Sequence, residues 1–170
     1  MRLLSVRAVC ARTVDTLAAI ASRRRVVLEL SAGSDPLLVS ADEHQITQAL
    51  ANLIVNAMQS MPDGGRVVVA LGSRRGRPPG ETAHEGVFVC VSVEDTGSGI
   101  ARDDLRHVFE PFFTTKDPGE GTGLGLSVVD GIVREHGGWI DVESEVGRGS
   151  RFAIYLPATA EASRPPREAA

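Results

Sequence analysis

Between Glu43 and Asp63 the sequence reads HQITQALANLIVNAMQSMP, without one formal charge. Ile46, Leu50, Leu53, Ala57 and Met61 recur at helical spacing and make one apolar stripe. Projected at about 100° per residue, Gln45, Gln48, Asn52, Asn56 and Gln59 gather on the far side as a stripe of amides. Asn52 and Asn56, four apart, share a face. A solvent-facing stripe ordinarily carries Lys and Glu, and Asn is among the poorer helix formers. Two readings follow. The amide face is an uncharged exposed surface, or it lines a polar cavity where an Asn carbonyl oxygen serves as a hard ligand, as Mg²⁺ requires. In both, the apolar stripe must rest on a core.

The flanking chain supplies that core. Val6, Val9, Cys10, Val14, Leu17 and Ala21 predict a helix across Leu3 to Ala21, closed by Arg23-Arg24-Arg25. VVLEL (26–30) and LLVS (37–40) read as strands, and Ser40 with Glu43 has capping-box spacing for the uncharged helix. That helix stops at the turn Pro62-Asp63-Gly64-Gly65. RVVVAL (66–71) is a further strand, residues 72–86 form a polar exposed connection, and VFVCVSV (87–93), apolar on both faces, is central. A loop-rich stretch from Asp95 to Gly123 leads to a helix ending near His136 at Gly137-Gly138, then to a closing hairpin of WIDVESE and RFAIYLP. The pattern predicts an α+β sandwich, helices on one face of a mixed sheet, as a single domain over 1–157 with a disordered tail over 158–170.

Composition excludes several classes of function. A net charge of −4 argues against general nucleic-acid binding. No apolar run reaches the ~18 residues of a membrane span, and no signal-peptide core is present. Cys10 and Cys90 read as small buried hydrophobes in a reducing compartment, and His44, His84, His107 and His136 lack zinc-ligand spacing.

Two glycine sites carry the chemistry. In GEGTGLGLSVV, Gly121, Gly123 and Gly125 lie directly before a helix, whose N-terminus exposes unpaired N–H groups and attracts anions. They read as a phosphate cradle or as a flexible linker. The P-loop pattern is absent, and Leu126 stands where a dinucleotide fingerprint needs its third glycine, although Glu143 mimics the ribose acid of such folds. In VEDTGSGI, Asp95 ends a strand while Gly97 and Gly99 open the loop. Its carboxylate either receives an amino group, an exocyclic purine amine for one, or closes a turn on its own backbone.

In order, these segments resemble the ATP-binding domain of two-component sensor histidine kinases, within the gyrase, chaperone, kinase and mismatch-repair ATPase superfamily. QALANLIVNAMQSM is similar to the N box, VEDTGSGI to the first glycine box and VFEPFFTTK to the F box. GEGTGLGLSVV matches the second glycine box, and GRGSRFAIYLP the closing strand. The wording is closest to the nitrogen-regulator-like branch. The resemblance implies a two-layer Bergerat-type fold: a mixed, mostly antiparallel sheet of about five strands under about three helices.

It also implies roles. Asn56 would hold Mg²⁺ against the ATP phosphates, assisted by Asn52. Asp95 would take the adenine amine, supported through water by Ser150, with Ala57 and Ile100 walling the base. Residues 109–122 would form a lid hinged by glycines and anchored by Phe109, Phe112 and Phe113. Lys116 would reach a phosphate, and Gly121, Gly123 and Gly125 would meet phosphates through backbone N–H. Gly97, Gly99, Thr114, Thr122, Leu124 and Leu126 complete the implied nucleotide contacts.

One departure bears on the reaction. ATP-hydrolysing members of the superfamily place a Glu one turn before the metal-binding Asn, and here that position is Asn52, which cannot take a proton. Phosphotransfer is favoured over hydrolysis, since it asks chiefly for positioning and charge neutralisation. The expected acceptor is a histidine on a dimerising helical domain of the same kinase, with relay to a response regulator. His84-Glu85, in a Gly/Pro-rich connection, is a poor acceptor. The alternative is a nucleotide-gated binding module without phosphotransfer. Either would be cytoplasmic, with no membrane or nucleic-acid contact by this domain, whether the intact kinase is soluble or anchored.

Overall fold

The computed structural model describes residues 1–34, 37–80, 85–117, 119 and 121–159. In chain order the elements are β1 (Arg2–Ser5), α1 (Val6–Arg23), β2 (Val26–Ser31), β3 (Leu38–Ala41), α2 (Glu43–Gln59) and β4 (Gly65–Gly76). Then come β5 (Gly86–Asp95), a 3-10 turn at Asp104–Arg106, α3 (Gly125–Glu135), β6 (Trp139–Glu145) and β7 (Gly149–Pro157). The main sheet has the order β2-β4-β5-β7-β6, parallel between β2 and β4 and antiparallel elsewhere. β5 is the middle strand, as its two-sided apolar sequence requires. The fold is the expected α+β two-layer sandwich.

The core forms where two periodicities meet. Alternate residues of the central strands (Val67 and Val69, Val89 and Val91, Phe152 and Ile154) turn to one face and are buried. Ile46, Leu50 and Leu53 of α2 meet them, with Val129 and Val133 of α3. Each such side chain is worth about 1.5–3 kcal/mol of burial. The opposite sheet face carries its own aromatic ladder. Trp139 stacks on Tyr155 at 4.5 Å, and Phe88 meets Trp139 edge-on at 4.7 Å.

The structure departs from the sequence expectation in four places. Residues 2–5 are a strand, not helix: Arg2–Ser5 pairs antiparallel with β3, which thereby leaves the main sheet. Ser5 instead caps α1, accepting from the Ala8 N–H at 3.3 Å. Asp42, not Ser40, caps α2, accepting from Gln45 N–H at 3.1 Å, while Ser40 lies in β3. Its intended box partner Glu43 is taken by Arg2 and Arg12. The polar stretch after Leu71 continues as strand to Gly76, because Arg74 and Arg75 pair with Phe88 and Val87. Strand pairing overrides local composition there. At the C-terminal end, Ala158 bridges to Val39 and the Thr159 N–H donates to Leu38 at 2.9 Å. Residues 160–170 and His84 lie outside the described residues.

A histidine clasps two helix ends together. His136 Nδ1–H donates to the Ile132 carbonyl at 2.7 Å, and Nε2 accepts the Asp42 N–H at 3.0 Å. A carbonyl can only accept and a peptide N–H only donate, so the ring is the neutral Nδ1–H tautomer. It fixes the C-terminus of α3 to the N-cap of α2. The helices that carry the amide stripe and the second glycine site are thereby aligned.

Candidate functional site

A cleft of about 610 Å³ lies between the amide face of α2, the loop after β5, the lid residues and the start of α3. Asn52, Asn56 and Gln59 of the amide stripe therefore face a cavity, while Gln45 donates to Glu135 and Gln48 is exposed. At one end is Asp95, the last residue of β5, only 4% exposed. Its Oδ1 accepts from Gly97 N–H at 2.8 Å and, 3.1 Å from the Ser60 Oγ, shares that hydroxyl's single hydrogen with the Ala57 carbonyl at 2.8 Å. Burial pushes the carboxyl above the ordinary carboxylate range, while the Gly97 N–H, Ser60 hydroxyl and Ser150 N–H pull it back. Ser150, opposite Asp95 in the β5–β7 ladder, also lines the cleft.

At the other end α3 begins at Gly125 with no side-chain cap, leaving its first peptide N–H groups for a ligand. A Cβ on Gly125 would meet nothing within 4 Å, so the backbone there borders open space. Gly123 is different: at φ +66° its Cβ would lie 2.4 Å from the Phe112 carbonyl carbon, so only glycine fits. Asn52 Nδ2 donates to Gly125 carbonyl at 3.4 Å, tying α2 to this entrance. From the lid, the Lys116 ammonium reaches Asn56 Oδ1 at 3.5 Å and also donates to Gln59 Oε1. A cation thus already sits against these two carbonyl oxygens, and the donor set suits a hard metal ion such as Mg²⁺.

Most of the residues singled out from sequence line this one cleft: Asn52, Asn56, Asp95, Gly99, Ile100 and Ser150, then Phe113, Thr114 and Lys116 of the lid, and Gly121, Thr122, Gly123, Gly125 and Leu126. Three do not. Ala57 is 3% exposed and faces the core, on the apolar stripe that defined the helix. Gly97 supports Asp95 from below, and Leu124 is the exposed N-cap of α3. Phe109 packs on Phe152 and Phe113 on His107, whereas Phe112 is 75% exposed and is tied to the site through its backbone N–H, which donates to the Gly123 carbonyl at 2.9 Å.

The sequence reading missed Ser60 and Ser144, and it placed Gln59 in the amide stripe without giving it a role. Ser60, one turn beyond Asn56, carried a weak signal, and Ser144 carried none, since its place beside the cleft depends on strand pairing with Ser150 and on the Ile100 N–H brought in from a distant loop.

A family model described as histidine kinase-, DNA gyrase B-, and HSP90-like ATPase matches residues 41–160, spanning every element of the cleft. The chain belongs to this family. The sensor kinase CckA of Brucella abortus (strain 2308) is 44% identical over 146 residues, covering 82% of this chain and 15% of CckA. The catalytic domain of histidine kinase ThkA superposes with a TM-score of 0.73 at 27% identity, covering 94% of this chain and 97% of that domain. Full-length ShkA in complex with AMPPNP gives a TM-score of 0.75 at 26% identity, over 91% of this chain and 30% of ShkA. The chain is a histidine-kinase-type ATP-binding catalytic domain spanning a small part of such multidomain kinases. The dinucleotide-fold alternative is excluded by the mostly antiparallel sheet, in which Glu143 pairs with Arg151 on the edge hairpin. No helix among the described residues is long and apolar enough to cross a membrane.

Proposed function

We propose that this domain binds Mg-ATP in the cleft and passes its γ-phosphate to a histidine on a separate helical domain of the same kinase, for relay to a response regulator. The observation that carries the reading is the gathering of an acid, an amide pair and a glycine-rich helix entrance on one cavity. Asp95 receives the adenine amine. The glycine backbone from Gly121 to Gly125 and the Lys116 ammonium hold the phosphates. Asn56, with Asn52 beside it, would hold Mg²⁺, which when bound neutralises phosphate charge. With Asn52 where a water-activating Glu would stand, no carboxylate on α2 is positioned to deprotonate water. The terminal phosphorus therefore awaits an imidazole nitrogen: the P–N bond forms as the β–γ P–O bond breaks and ADP leaves.

The exposed Phe112, beside Gly123 at the cleft mouth, gives the helical partner an apolar contact. The test adds the phosphoacceptor domain of the cognate kinase to this chain with γ-labelled Mg-ATP. Label on its histidine is expected. ATP binding without any label on that histidine would instead establish a nucleotide-gated binding module.

A further inference from the structure

We infer that Ser144, a residue outside the cleft, sets the hydrogen-bonding polarity of the cleft's base end and so its choice between amino- and oxo-purines. The inference rests on the adenine-nucleotide reading of that end. Ser144 of β6 faces Ser150 of β7 in the hairpin register. Its hydroxyl has three partners: Ile100 N–H at 2.8 Å, Gly149 carbonyl at 2.9 Å and Ser150 Oγ at 2.8 Å.

A serine hydroxyl offers one hydrogen and two lone pairs. The Ile100 peptide N–H can only donate, so it takes one lone pair. The Gly149 carbonyl can only accept, so it takes the hydrogen. With its hydrogen on the Gly149 carbonyl, Ser144 has one lone pair left, which receives the hydrogen of Ser150. That hydrogen is then turned away from the cleft, and buried Ser150 presents acceptor capacity alone. The Asp95 carboxylate opposite is also an acceptor. Two acceptors side by side suit an exocyclic amino group and oppose the carbonyl oxygen that guanine carries at the same position. A water held there must likewise donate to Ser150. Ser144 is thus a positioning residue that acts through Ser150.

Calorimetry with Mg-ATP and Mg-GTP at pH 8 tests this on the wild-type chain and on Ser144→Ala, Ser144→Thr and Ser150→Ala. Without the Ser144 hydroxyl, Ser150 is free to turn its hydrogen into the cleft, and the preference for ATP over GTP should fall about tenfold, the scale of one hydrogen bond. Threonine at 144, which keeps the hydroxyl, should restore it. A purely structural role would lower both affinities together and leave their ratio alone. Ser144→Ala with the wild-type ratio overturns the inference and leaves the site reading intact. If that variant does not fold, Ser150→Ala decides: its ratio should fall too, and an unchanged ratio overturns the inference. A wild-type chain that binds both nucleotides equally overturns the inference and the adenine assignment of Asp95 but leaves the phosphate end standing, whereas one that binds neither removes the whole site reading.

Discussion

At Asp95 burial and hydrogen bonding act in opposite directions, and burial is the larger. The folded carboxyl therefore releases its proton at higher pH than the unfolded one. Its contribution to stability is fully present below the unfolded value and is lost as pH rises through the folded one. Asp95→Asn keeps an oxygen for the Gly97 N–H and removes this loss. In thermal melts of the nucleotide-free domain, wild type should lose stability relative to Asp95→Asn as pH rises through and above the carboxylate range. The same substitution should weaken ATP binding ten- to a hundred-fold, about 1.5–3 kcal/mol for a charged hydrogen bond. Opposite signs for stability and affinity identify a functional residue; loss of both would make Asp95 a structural one. Asn56→Ala should abolish the gain in ATP affinity that magnesium brings, read by titration with and without the metal. A gain of wild-type size in the variant assigns the ion to another residue. Gly149 has a backbone role: at φ +111° its Cβ would lie 1.9 Å from the Asp95 carbonyl oxygen. Gly149→Ala should cost more than about 3 kcal/mol, by strain and by displacement of the β5 end; denaturant unfolding measures it.

Between elements, the His136 clasp acts beside the Asn52–Gly125 bond and the shared apolar core in setting α3 against α2. His136→Ala leaves the Asp42 N–H and the Ile132 carbonyl without their partner, which should cost about 1–3 kcal/mol. Equilibrium unfolding of the variant measures it, and an unchanged midpoint would mean that the α2–α3 packing alone fixes the pair. The elements also show what was legible beforehand. The periodicities of α2 and of the central strands are set by burial, and burial writes itself into sequence every two or every 3.6 residues. β1 and the extension of β4 were illegible because their strand character comes from a partner strand and not from their own residues. The N-cap moved from Ser40 to Asp42 for a related reason: β1 claimed the stretch before it, and either residue type can cap.

For the whole molecule, the candidate site was easier to read than the fold details, since glycines and uncharged amides are costly where they stand and need a reason. What escaped were the supports: Ser60 beneath Asp95 and Ser144 behind Ser150 matter only through contacts made on folding. Phe112, expected to anchor the lid, instead exposes its ring. The domain by itself, incubated with γ-labelled Mg-ATP, should acquire no label on histidine, as followed by acid-labile phosphate release; labelled histidine within this chain would place the acceptor here.

Calorimetric titration of the wild-type domain with Mg-ATP and, in parallel, Mg-NAD asks most directly whether acid, amides and glycines serve one ligand. Saturable one-to-one binding of Mg-ATP with no heat from Mg-NAD is the predicted result. Equal binding of both, or none of Mg-ATP, would contradict the account.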